Sequence, residues 1–156
     1  MRATVPEPGG LLFAPCLTMS HRILLVDDED VILSAMREYI TLSGYQVDCA
    51  GSTAQAEALL ATTHYAVVIA DLNLNETDGY EGLQILDCAR AHCQWTRSVL
   101  FTAYGGPEIE RQAREHGIDV FLYKPQPLAV VTRIISQLVI KNHEQKRRGE
   151  YACFQV

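Results

Sequence analysis

The run Tyr65-Ala66-Val67-Val68-Ile69-Ala70-Asp71 constrains this chain more than any other stretch. It is short, apolar, rich in β-branched residues, and it stops on a carboxylate. Such a run suits a strand buried on both faces of a parallel sheet rather than a surface helix. Ligands of open α/β sheets bind outside the carboxyl ends of the strands, where strand order reverses. Asp71 is therefore placed for chemistry, and the rest of the chain reads as its scaffold or its partners.

The pattern becomes regular at Arg22. Arg22 to Val26 reads as a buried strand, stopped by the acidic run Asp27-Asp28-Glu29-Asp30. Acidic side chains there favour the start of a helix. This helix is expected to reach Ser43 and to bury Val31, Ala35, Tyr39 and Ile40 or Leu42, with Gly44 as its stop. Tyr45 to Ala50 reads as a less apolar edge strand. Ser52 and Gln55 have capping-box spacing at the start of a second helix that turns Ala56, Leu59 and Leu60 inward.

After Asp71 come a polar loop, a helix from Glu81 to about His92 and a strand Ser98 to Thr102. A polar helix Glu108 to His116, a strand Asp119 to Tyr123 and an apolar helix from Leu128 to about Lys141 complete the order. Strands alternating with helices predict an α/β fold, a parallel sheet covered by helices on both faces. Residues 1–20, broken by Pro6, Pro8, Gly9, Gly10 and Pro15, read as a flexible N-terminal extension, or as sequence ahead of a true start at Met19. The domain is expected over residues 21–142, with 143–156 as a frayed polar tail.

Charge and composition exclude several classes. A net charge of −6 argues against nucleic acid as the main partner. No apolar run approaches the length that spans a bilayer, and Arg2 with Leu11 to Ala14 is too short and Pro-interrupted for a signal peptide. The five cysteines are odd in number and scattered, which suits free thiols and a cytoplasmic location. Cys88, His92 and Cys93 offer only three ligands for a metal, without a second pair.

The strand ends collect a second pattern: Asp27 and Asp28 after the first, Asp71 after the third, Thr102 after the fourth, Lys124 after the fifth. In a doubly wound sheet these ends share one edge. Neighbouring carboxylates repel and resist desolvation, so the cluster calls for a cation, and carboxylate oxygens with water suit Mg²⁺. Lys124 and Thr102 would stabilise a phosphoryl group in transfer, and Asp71 would be its nucleophile.

These residues, in type, order and spacing, resemble the receiver domain of two-component response regulators over about Arg22 to Ile140. The intervals from Asp71 to Gly79 and from Thr102 to Lys124 are similar to those of that family. The resemblance implies a flavodoxin-like, doubly wound five-stranded parallel sheet in the order 2-1-3-4-5. It implies Mg²⁺ held by Asp27, Asp28, Asp71 and the Asn73 backbone carbonyl, and a cis peptide between Lys124 and Pro125. Asp71 would take its phosphoryl group from a histidine kinase or histidine phosphotransfer protein, with Thr102 and Phe121 as switch residues.

Departures also carry expectations. Asn75 stands where the family usually has proline, implying a looser loop. Tyr104 would shield the phosphoryl group, implying slow self-dephosphorylation, and Phe121 lacks a hydroxyl. Only 16 residues follow Ile140, so a stand-alone, single-domain regulator is expected, one that signals through the surface of its fourth helix, fifth strand and fifth helix. The last helix carries Ala129, Val130, Val139 and Ile140 beyond its packing face; they read as part of a thickly buried helix or, alternatively, as an exposed patch on which a downstream partner or a second copy would dock as a homodimer. A phosphatase of the haloacid dehalogenase type also combines Asp, Thr and Lys, but Asp71-Leu72-Asn73 lacks its second Asp. A receiver-fold module that binds proteins without phosphorylation is the other alternative.

Overall fold

The computed structural model describes residues 22–74 and 79–153, with side chains through residue 148. The expectations about residues 1–20, Met19 and Asn75 lie outside the described residues. The described chain alternates β1 (Arg22–Val26), α1 (Asp30–Leu42), β2 (Gln46–Ala50), α2 (Thr53–Thr62), β3 (Val67–Ala70), α3 (Glu81–His92), β4 (Arg97–Thr102), α4 (Pro107–Glu115), β5 (Val120–Tyr123) and α5 (Leu128–Cys153). The strands form one parallel sheet in the order β2-β1-β3-β4-β5, the flavodoxin-like winding that the family resemblance implies. Val26 lies beside both Ala50 and Ala70, so the residues that follow β1 and β3 emerge as neighbours.

Side chains alternate across the strands. Ile23, Leu25, Val67, Ile69, Val99 and Phe101 face α1 and α5, where Leu33, Met36, Ile40, Val131, Ile135 and Leu138 cover them. Leu24, Val68, Ala70 and Leu100 face the other layer, built from Ala56, Leu60, Leu83, Leu86 and Ala113. Burial on both faces explains why β1 and β3 read as unbroken apolar runs.

Two expectations need correction. The buried face of α1 is Leu33, Met36 and Ile40, whereas Ala35 is exposed, Tyr39 is 39% exposed, and Val31 and Leu42 are 82% and 81% exposed. One residue of phase turns a helix by about 100°, and the position of the sheet, not local apolarity, sets that phase. The capping pair at α2 is also asymmetric. Ser52 Oγ accepts from the Gln55 amide at 3.3 Å, but Gln55 Oε1 accepts from Gly51 N rather than from Ser52.

The second correction concerns α5, which continues as helix to Cys153 instead of ending near Lys141 in a frayed tail. Asn142 explains part of it. This buried side chain donates to the Ala66 carbonyl at 3.1 Å and accepts from Arg97 Nε at 3.0 Å. Arg97 in turn pairs with Asp119 at 2.9 Å and donates to Gln145. A polar residue at the expected end of the domain is thus a packed anchor. Asn142→Ala is expected to cost about 1–3 kcal/mol in urea unfolding, since Arg97 and Ala66 lose a buried partner.

Candidate functional site: a carboxylate cluster at the sheet edge

The parallel register brings the expected residues to one edge. Asp27 N donates to the Ala50 carbonyl of β2, and Asp71 N donates to the Val26 carbonyl of β1, so both acids leave the sheet from adjoining positions. Asp27 is 5% and Asp71 8% exposed, while Asp28 faces solvent. Carboxylate oxygens of Asp27, Asp28 and Asp71 lie within 4.8 Å of one another. Lys124, placed by the donation of its amide to the Thr102 carbonyl, reaches across the edge. Its Nζ donates to Asp27 Oδ2 at 2.5 Å and to Asp71 Oδ2 at 3.1 Å, with the ring centre of Phe101 5.5 Å away. The Lys124–Pro125 peptide is cis.

The electrostatics follow from this packing. Burial alone would lower the Lys124 pKa; its hydrogen bond to Asp27 and the charges of Asp71 and Asp27 outweigh that and hold the ammonium above the usual lysine range. Asp28 is pushed up, first by partial loss of water and then by repulsion from Asp27 and Asp71, against a backbone hydrogen bond and Lys124. One ammonium thus faces three carboxyl groups.

The individual oxygens are differently employed. Asp27 Oδ1 accepts from Glu29 N at 2.9 Å and its Oδ2 from Lys124. Asp71 Oδ2 is held by Lys124, whereas Asp71 Oδ1 is buried without a hydrogen-bond partner. A buried orphan carboxylate oxygen beside two further acids matches the hard oxygen donors that Mg²⁺ takes. Asn73 Oδ1 is likewise buried without a partner, close to Gly79.

Thr102 is fully buried and ends β4 at this edge, but its hydroxyl is engaged elsewhere, accepting from Tyr104 N at 3.1 Å. Among the described residues no hydrogen bond joins it to Asp71. Tyr104 is 62% exposed at the rim. Phe121 is half-buried and meets Tyr123 edge to face, ring centres 5.0 Å apart.

Sequence reasoning missed Gly82. Its amide donates to the Leu72 carbonyl at 3.0 Å, and a Cβ built on it would lie 2.0 Å from the Asp71 carbonyl oxygen. The first turn of α3 therefore lies directly on the backbone that carries Asp71. A glycine inside a helical pattern, which costs about 1 kcal/mol against alanine, was the available signal.

A doubly wound sheet with an acid cluster and a lysine at its switch point is the arrangement expected of a receiver-like module. Residues 23–136 match the family model described as the response regulator receiver domain, and the chain belongs to that family. It is 38% identical over 104 residues to the alginate biosynthesis transcriptional regulatory protein AlgB of Pseudomonas aeruginosa, covering 67% of this chain and 22% of that protein. It is 33% identical over 117 residues to the transcriptional regulatory protein SrrA of Staphylococcus aureus, covering 74% of this chain and 47% of the relative. The chain thus spans between about a fifth and a half of these curated relatives. Among solved structures, a receiver domain protein of Methanospirillum hungatei superposes with a TM-score of 0.74 at 22% identity, over 80% of this chain and 97% of that one. A response regulator of Burkholderia pseudomallei, solved with a phosphorylated aspartic acid and a calcium ion, gives 0.67 at 20% identity, over 86% and 75%. No described helix is long and apolar enough to cross a membrane.

Proposed function

We propose that Asp71 accepts a phosphoryl group from the phosphohistidine of a histidine kinase or histidine phosphotransfer protein. The observation that carries this reading is the unequal use of its two oxygens. Lys124 holds Oδ2, while Oδ1 is buried and carries no hydrogen bond, so the carboxylate keeps one oxygen uncommitted and can divide metal binding and attack on phosphorus between its two oxygens. The new bond joins an Asp71 oxygen to phosphorus as the phosphorus–nitrogen bond breaks, and the imidazole nitrogen leaves with the electron pair. Lys124 supplies positive charge to the equatorial oxygens and Thr102 a hydroxyl donor. Asp27, Asp28, Asp71 and the Asn73 carbonyl would hold Mg²⁺, which when bound neutralises the charge gathered on the phosphoryl oxygens.

An apolar groove lined by Ile32, Ala35, Met36, Phe101, Pro125 and Leu128 opens beside Lys124, so a donor protein can seat apolar side chains next to the acceptor. Once Asp71 is phosphorylated, Thr102 turns toward it and Phe121 moves into the space left. The surface of α4, β5 and α5 changes and is read by a downstream protein or a second copy.

The test is incubation with Mg²⁺ and acetyl phosphate followed by intact mass. The wild type gains one phosphoryl group and Asp71→Asn gains none; an unchanged wild type instead supports a protein-binding module that works without phosphorylation. Mg²⁺ alone should raise the thermal midpoint, by the equivalent of about 2.7 kcal/mol at a hundredfold excess over its dissociation constant. Asp28→Asn should abolish most of that rise in differential scanning fluorimetry. Tyr104 stands two residues past Thr102 at the rim of the site and screens the phosphoryl group from water. Tyr104→Ala is expected to shorten the lifetime of the phosphoprotein, followed by mass after the donor is removed.

A further inference from the structure

The loop that follows Thr102 is gripped by a residue with no role in the phosphoryl chemistry. Tyr123, the last residue of β5, lies opposite Thr102 in the parallel register. Its ring closes over Gly105: a Cβ added there would stand 2.1 Å from Tyr123 Cε1 and 2.9 Å from the phenol oxygen. The Tyr123 O–H donates to the carboxylate of Glu110 in α4. Phe121 meets the same ring edge to face. At the start of the loop, Tyr104 N donates to Thr102 Oγ1. One side chain therefore touches the loop, the helix beyond it and the neighbouring aromatic of β5.

We propose that Tyr123 is a positioning residue that couples the Thr102 loop to α4, clasping Glu110 while its ring fills the space over Gly105. The inference rests on Asp71 being the phosphoacceptor. Phe121 has no hydroxyl, so the polar tie between β5 and α4 falls to Tyr123. A hydrogen bond to an ionised acceptor is stronger than one between neutral groups, which suits a clasp on a ring that is 41% exposed. The Glu110 hydrogen bond, with lesser help from burial and the Glu110 charge, also holds the phenol above its usual range.

The clasp belongs to the arrangement in which Thr102 faces Tyr104. Drawing Thr102 toward a phosphoryl group on Asp71 moves its loop toward β3 and away from β5, which flanks β4 on the other side, so residues 103–105 leave the ring and the clasp on Glu110 loosens. A contact made in only one of two states biases their equilibrium by its own free energy. Here the bias opposes phosphorylation, and by reciprocity phosphorylation weakens the clasp.

The experiment uses the full chain with Mg²⁺ and acetyl phosphate, reading initial phosphorylation rates by intact mass. Tyr123→Phe and Glu110→Ala are each expected to raise the rate roughly two- to tenfold, the range of one such hydrogen bond. The double variant should be no faster than either single one, because both remove the same contact. Glu110→Gln, whose amide oxygen still accepts, should fall between wild type and Glu110→Ala. Glu110 lies on the surface helix, so its variants test the clasp even if Tyr123→Phe unfolds. Unchanged or slower rates, or additive effects in the double variant, overturn the clasp while Asp71 remains the acceptor. A wild type that takes up no phosphoryl group overturns the underlying reading, and the clasp with it.

Discussion

Gly82→Ala removes stable phosphoryl uptake and costs the fold on the order of 3 kcal/mol, the upper range for forced overpacking. The added Cβ would meet the Asp71 carbonyl oxygen at 2.0 Å, its carbonyl carbon at 2.7 Å and Leu72 Cα at 2.9 Å. All three are backbone atoms, and no side-chain rotation relieves them. Either α3 withdraws from the sheet, exposing Leu83 and Leu86, or the Asp71 backbone moves and its carboxylate leaves Lys124. Urea unfolding and acetyl phosphate labelling measured on the same sample register both losses. Gly51→Ala is the control: its Cβ would meet only Gln55 Oε1 at 3.6 Å and the Asp27 carbonyl at 3.9 Å. Its stability should stay within about 0.5 kcal/mol of wild type. Wild-type labelling by Gly82→Ala would show that α3 can shift without carrying Asp71.

Lys124→Met should lower phosphoryl uptake by about 10²–10³, the usual loss when one preorganised charge-stabilising donor is removed. It also leaves Asp27 and Asp71, both less than 10% exposed, without their shared cation. Removing one partner of a buried pair costs about 3–5 kcal/mol. Mg²⁺ should recover part of that stability and none of the rate, because the metal balances charge but does not stand where the ammonium stands. The pH dependence has a definite sign. The Lys124 pKa is raised in the fold, so its pairing contributes fully below the unfolded lysine value of about 10.4 and is lost as pH rises through the higher folded value. Wild type should therefore lose this increment above about pH 10.4, and Lys124→Met should lack that step in alkaline urea unfolding. Equal stability of the two proteins at neutral pH would refute the shared-cation account.

The topology was legible because its signals are local. Apolar runs at Arg22–Val26 and Val67–Ala70, each ending in acid, announce strands of a parallel sheet, and regular alternation with helices leaves few windings. Helix faces were less legible. The face of α1 could not be phased from its own residues, because Val31 and Leu42 are as apolar as the Leu33 and Ile40 that are buried. The extent of α5 was hidden for a related reason: nothing local to Asn142 shows that it is buried until Ala66 and Arg97 arrive from other elements.

The sequence by itself determined which residue types stand at the strand ends: the acids Asp27, Asp28 and Asp71, with Thr102 and Lys124. Strand endings are written locally in apolar runs and their stops, so that much needs no third dimension. Only the tertiary structure decided that Lys124 binds one oxygen of Asp71 and leaves the other bare, and that Thr102 rests on Tyr104. It also placed Gly82 under the Asp71 backbone and Tyr123 between Gly105 and Glu110. Each of these contacts joins residues from different elements across the sheet edge. Distances of that kind depend on how strands and helices stack, which no single stretch of chain encodes.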